Sequence, residues 1–184
     1  MEAAVLPPAP AEELAAILRQ RAGMADEALA RARLVESETG ETLDKIVTRL
    51  GLISEDALAG ALASALGLPL IDAADLPTEN PAIADISAAF LRDRRALPLR
   101  RDGARVLVAM ANPLDRDAVD GIAFATGCNV ERCVARGGDI DAAIDRLYRS
   151  EAAAEVEDVA AAPVVTAASA EKTKAKKTEK QNKK

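Results

Sequence analysis

Between residues 11 and 66 the chain repeats itself. A displacement of 29 positions lays Leu14 on Leu43, Ile17 on Ile46, Leu18 on Val47, Met24 on Ile53, Ala28 on Ala57, Leu29 on Leu58 and Ala32 on Ala61. The turn Arg21-Ala22-Gly23 matches Arg49-Leu50-Gly51 better at 28, so one copy has the shorter loop. Leu14, Ile17, Leu18 and Arg21 share one face, and so do Leu43, Ile46, Val47 and Leu50, at i, i+3, i+4 and i+7, the spacing of one helix face. Each copy therefore reads as a helix–turn–helix unit, and two such hairpins can bury each other's apolar faces. Gly51 stands where a helix end favours left-handed backbone. Ser54 can cap the next helix, with Glu55 and Asp56 in its first turn. The stripe Leu58, Ala61, Leu62, Ala65 and Leu66 runs inward, and Gly67 with Pro69 stops it.

From Leu68 the period changes. PLIDAADLP reads as a short strand entering a turn, and Ile83–Arg94 as a helix. Ala96–Leu99 and Arg105–Met110 read as paired strands across Arg101-Asp102-Gly103, the apolar run VLVAMA being the central one. Asp115–Thr126 predicts a helix ending at Gly127, Cys128–Ala135 a strand, and Asp139–Arg149 a closing helix with Ile140, Ile144, Leu147 and Tyr148 inward. The expected fold class is α+β: a flexible leader at 1–10, a helical hairpin repeat at 11–67, and a small α/β sandwich at 68–150. A disordered linker and Lys-rich tail follow at 151–184. That tail, EKTKAKKTEKQNKK from residue 171, holds seven lysines and two glutamates, against a net charge of −6 for the whole chain. It has no apolar face with which to offset the entropy of ordering.

Composition narrows the chemistry. With aromatics at 2%, the core must be built from Leu, Ile, Val and Ala. Histidine is absent, which removes the commonest general base and the commonest transition-metal ligand. Cys128 and Cys133, five apart, fall on opposite faces if their segment is a strand, and read as small apolar residues of a reducing compartment. No signal peptide is recognisable, and the uncharged, Ala-rich stretch Val159–Ala170 is only twelve residues, whereas a membrane helix needs about 20. No G-x-x-x-x-G-K-[ST] loop occurs; Gly137-Gly138 is followed by Asp139-Ile140, and Lys45 is the sole lysine before the tail. These readings predict no enzyme, no catalytic residue, no cofactor site and no metal site. The densest basic group is Arg92, Arg94, Arg95, Arg100 and Arg101, with Asp93 and Asp102 interleaved. It could serve a nucleotide receptor, or it could be solvated surface charge.

The run Gly51-Leu52-Ile53-Ser54-Glu55-Asp56-Ala57-Leu58, followed by Leu66-Gly67-Leu68-Pro69-Leu70-Ile71-Asp72, resembles the amino-terminal domain of type II secretion and type IV pilus assembly ATPases, the GspE family. The resemblance continues through Arg95-Ala96-Leu97-Pro98-Leu99, Val106–Pro113, Gly127-Cys128-Asn129-Val130 and Ile140–Tyr148. It covers roughly residues 12–150 and stops where the family's ATPase would begin. It implies a domain that docks the motor onto the cytoplasmic part of an inner-membrane platform protein, or, in the related MshEN branch, one that binds cyclic di-GMP. That branch opens each repeat with Arg-Leu-Gly and closes it with Gln; here the second repeat has Thr42-Leu43-Asp44 and Ala65, and the first has Glu13-Leu14-Ala15 and ends near Glu36. Carboxylates at Asp44 and Glu13 would oppose a phosphate. The expected function is thus a docking or adaptor domain binding a platform protein or motor component, cytoplasmic and peripheral to the inner membrane through its partner. A degenerate cyclic di-GMP-like receptor is the alternative. Lysines without arginine or aromatics cannot read bases, so no sequence-specific nucleic-acid binding is expected of the tail, only a weak electrostatic membrane contact.

Overall fold

The computed structural model describes residues 10–148. The leader up to residue 9 and residues 149–184, which include the expected linker and Lys-rich tail, lie outside the described residues. Four helices come first: α1 (Pro10–Arg21), α2 (Asp26–Thr39), α3 (Leu43–Arg49) and α4 (Glu55–Leu66). They pack across the two copies of the repeat, α1 against α4 and α2 against α3. The duplicated positions do the same work in both copies: Leu14 and Leu43, Ile17 and Ile46, Leu18 and Val47, Leu29 and Leu58, and Ala32 and Ala61 are all buried. Ser54 caps α4 by accepting from the Ala57 N–H at 3.2 Å, and Gly51 turns the chain at φ +66, a conformation that costs other residues about 1 kcal/mol or more.

The second part contains α5 (Ala88–Arg94), β1 (Ala96–Asp102), β2 (Arg105–Met110), α6 (Arg116–Thr126), β3 (Asn129–Val134) and α7 (Gly137–Leu147). The sheet order is β1-β2-β3. β1 and β2 are antiparallel across the turn Gly103-Ala104, while β2 and β3 are parallel, with Val106 opposite Val130 and Met110 opposite Val134. The apolar run is the central strand, as its continuous hydrophobicity predicts. Pro98 lies on the edge strand, next to a register shift between Pro98 and Arg100, where a missing N–H is tolerated. A core of Leu91, Leu97, Val106, Val108, Met110, Ile122, Ile140 and Ile144 fills this part. The two parts share apolar contact, because Leu114 and Val134 lie in the helical core rather than in that of the sheet.

Five local expectations need correction. The strand expected in PLIDAADLP shrinks to one parallel bridge, Leu70 to Val134, with Ile71 N–H donating to the Val134 carbonyl at 2.9 Å. A short 3-10 turn at Ala73–Asp75 ends it. The helix expected from Ile83 starts at Ala88, because Ser87 caps it by accepting from Phe90 N–H at 3.2 Å. Before it the side chain of Asn80 accepts from Ala82 N–H at 2.9 Å, with Ala82 at φ +48; Ile83 and Ile86 reach the core from a loop. Arg101 and Asp102 extend β1 instead of forming the turn. Cys128 precedes the strand, so the alternation argument does not reach it, and Cys128 and Cys133 are both buried. Finally, α7 begins two residues early, at Gly137.

Candidate functional site

Charge concentrates where the helical hairpins meet the sheet. The first turn of α4 brings Glu55 and Asp56 to this seam, and α7 points its N-terminus at them. The Glu55 carboxylate accepts from the Gly138 N–H at 2.8 Å, an arrangement in which a helix N-terminus welcomes an anion. The residue after α5, Arg95, is held in left-handed backbone at φ 44, ψ 52. Its guanidinium reaches Asp141 of α7 at 3.0 Å and Glu55 at 3.9 Å. It lies so close to α7 that a side chain at Gly137 would sit 2.8 Å from its Nη1. Burial pushes the Asp141 carboxyl above its ordinary value, Arg95 pulls it back, and the neighbouring Glu55 pushes it up. Arg136 completes the seam, 2.5 Å from Asp139 and 2.9 Å from Asp56. Those hydrogen bonds, Asp139 first, hold its guanidinium above the ordinary arginine value.

Beside this network opens a cleft of about 540 Å³, walled by Glu41, Lys45, Arg49, Ser54, Glu55 and Arg95. Its cations already have partners from the chain. Lys45 donates to the Asp93 carbonyl and lies 3.4 Å from its carboxylate, Arg49 bonds Glu41, and Arg95 has Asp141 and Glu55. Asp44 is buried nearby and accepts from the Asn112 amide at 3.2 Å. Asp44, Glu55 and Arg95 together line a smaller adjoining cavity.

The five arginines singled out in the sequence do not converge on one ligand surface. Arg92 pairs with Asp145 at 3.0 Å, and Arg94 with Asp115 at 3.4 Å and Asp117 at 3.7 Å. Arg100 and Arg101 are exposed on β1, where Arg101 Nε donates to the Gly103 carbonyl at 3.2 Å. Only Arg95 enters the cleft. Of the repeat positions, Asp44 reaches the seam, Thr42 precedes α3 without a side-chain capping bond, and Ala65 packs on the helical core. Glu13 and Glu36 are half-buried on α1 and α2. Glu55 and Asp141 lie within the runs that carry the family resemblance, but nothing local marks them or Arg136 as partners of one another. The Gly-Gly pair before Asp139, already excluded as a phosphate loop, was the one local sign that something approaches α7 closely. Cys133 donates its S–H to the Val108 carbonyl at 3.3 Å, and burial pushes its thiol up to about 11.

The MshEN domain model matches residues 66–154. Type II secretion system protein E of Xanthomonas campestris is 35% identical over 135 residues, which is 71% of this chain and 24% of that protein. The type IV pilus assembly ATPase PilB of Myxococcus xanthus is 30% identical over 131 residues, 71% of this chain and 23% of its own length. The chain thus spans about a quarter of these curated relatives. Among solved structures, the N-terminal domain of XpsE superimposes with a TM-score of 0.68 at 32% identity, covering 78% of this chain and 99% of that one. MshE with cdg gives 0.56 at 25% identity, covering 73% and 98%.

Proposed function

Since this chain belongs to the family of amino-terminal domains found in type II secretion and type IV pilus assembly ATPases, we propose that it is a non-catalytic docking module. Its partner is the cytoplasmic part of an inner-membrane platform protein, or a motor component of such an assembly. The observation that carries this reading is the seam. Every cation that lines the large cleft is already paired within the chain, so the cleft presents no free set of donors to a small anionic ligand. Specific recognition then falls to the outer surface. Among the described residues no helix is long and apolar enough to cross a membrane, which fits a module held at the inner leaflet by its partner. The Lys-rich tail adds at most about 1 kcal/mol per lysine near anionic lipid, and flotation with and without residues 171–184 measures that contribution.

Biolayer interferometry of the full chain against the cytoplasmic region of the platform protein from the same genome tests the proposal. Saturable binding supports it, and no binding at 100 μM refutes it. The likeness to MshE with cdg favours a second reading, a receptor for a cyclic dinucleotide. Against that reading, Asp44 places a carboxylate where the MshEN motif has glycine, and the carboxylate is engaged by Asn112.

A further inference from the structure

Helix α6 turns Ala118, Ile122 and Thr126 inward. The opposite stripe carries Asp117, Asp120 and Phe124, three and four residues apart, and so neighbours on one helix face. Phe124 is 91% exposed, well beyond Leu34 at 59%, Leu70 at 49% and Leu50 at 46%. The chain has only two phenylalanines, and the other, Phe90, also meets α6. The ring of Phe90 rests on the bare backbone of Gly121, where a Cβ would stand 2.8 Å from its Cζ. Two aromatic rings thus flank one turn of α6, one half-buried and one open.

The charges at this place are lopsided. Asp115 caps the helix and is matched by Arg94 at 3.4 Å, which also reaches Asp117 at 3.7 Å. Arg116, in the first turn, is the one cation of α6. Asp120 has no ion pair among the described residues, and it sits one turn before Phe124, on the side toward which a helical side chain leans. An open ring face with a carboxylate at its base attracts a cation twice, through the ring quadrupole and through the charge.

We propose that the outer face of α6 is a docking surface, on which Phe124 and Asp120 together receive an arginine- or lysine-bearing apolar segment of a protein partner. The surface rests on the docking function proposed above and gives it a location. At 1.5 Å per residue an 11-residue helix is about 16 Å long, too small a face for a permanent complex, so the contact belongs to the weak and transient class. A second copy meeting this face through its own α6 would set one net acidic surface against another, and is disfavoured as the occupant.

The experiment uses the full 184-residue chain, labelled with ¹⁵N, and a synthetic amphipathic helical peptide of Leu and Arg, with a Leu and Glu peptide as control. The expected result is that amide shifts concentrate on α6 and around Phe90. Phe124→Ala and Asp120→Lys should each weaken binding about tenfold or more, as for a truncated interface anchor, with an unchanged melting midpoint. The control peptide should not bind. Shifts that map elsewhere, or unaltered affinity of Phe124→Ala, overturn the proposal. So do α6 resonances that move with protein concentration alone, which would make a second copy the occupant. Movement of those resonances on deletion of residues 171–184 overturns it as well, because the tail would then cover the face. The same variants against the platform region separate the two proposals. Equal binding of wild type and Phe124→Ala sinks the surface and leaves docking intact, whereas absent wild-type binding with α6-centred peptide shifts does the reverse.

Discussion

Replacing Arg95 with glycine should change stability by an amount that depends on pH, and the geometry sets the sign. Arg95 occupies left-handed backbone at φ 44, which costs a residue with a Cβ about 1 kcal/mol, and glycine relieves that. The same change removes the guanidinium 3.0 Å from Asp141 and 3.9 Å from Glu55 and leaves a half-buried carboxylate without its cation. Asp141 is 36% exposed, so the loss is held to about 2 kcal/mol at neutral pH, near the middle of the range for an orphaned polar group. The net expectation at pH 7 is about 1 kcal/mol of destabilisation. Burial already raises the Asp141 carboxyl in the folded state. Its contribution is therefore fully present below the unfolded carboxylate value of about 3.9 and is lost as pH rises through the folded value. Without Arg95 the folded value rises further, so the loss deepens. At pH 4 the carboxyl is protonated in much of the folded variant, the ion-pair cost shrinks, and Arg95→Gly should be neutral or slightly stabilising. Urea melts of both proteins at pH 4 and pH 7, at one ionic strength, measure the difference; Lys45 and Glu55 face the same group and are common to both proteins. An equal penalty at the two pH values would refute the assignment of Arg95 as the counter-charge of Asp141.

Leu58→Ala and Val108→Ala remove buried side chains from the two cores and should each cost about 2–4 kcal/mol in denaturant titrations; Lys176→Ala, in the tail, should cost nothing measurable. The Cys133 thiol, pushed up to about 11 by burial, should resist a disulfide reagent at pH 8 and react at once in guanidinium; fast native labelling of Cys133 would show that β3 opens readily. Isothermal calorimetry with cyclic di-GMP should give no saturable heat in the micromolar range, because Asp44 and Ala65 stand where the MshEN motif has glycine and glutamine. A dissociation constant near 1 μM, about −8 kcal/mol, would favour the receptor reading instead.

The repeat was legible because helix packing depends on one face, and that face has a period that shows in Leu14, Leu18, Leu43 and Val47. The central strand was legible because Val106–Met110 is apolar throughout. Segment 69–87 was not. Its apolar residues serve the core from irregular backbone, and a loop that packs inward has the composition of an element without its hydrogen bonds. The seam was hidden for a different reason. Glu55 and Gly138 are 83 residues apart, and Arg95 and Asp141 are 46 apart, so no local spacing marks them. The two glycines of α7 look like a loop signal until Arg95 and Glu55 are seen filling the space where side chains would stand.

The placement of Leu114 and Val134 inside the helical core bears on how such a chain can be recombined. A hairpin repeat borrowed from another family member would arrive shaped around that member's residues at these two positions, while the host sheet would supply its own. A mismatch in volume there would open a void or force an overlap, costing about 1–3 kcal/mol before any surface residue differed. Exchanges that carry positions 114 and 134 along with residues 11–67 keep the fit. Chimeras divided at Gly67 alone should emerge as poorly expressed, aggregation-prone proteins, even though the chain there looks like a natural place to cut.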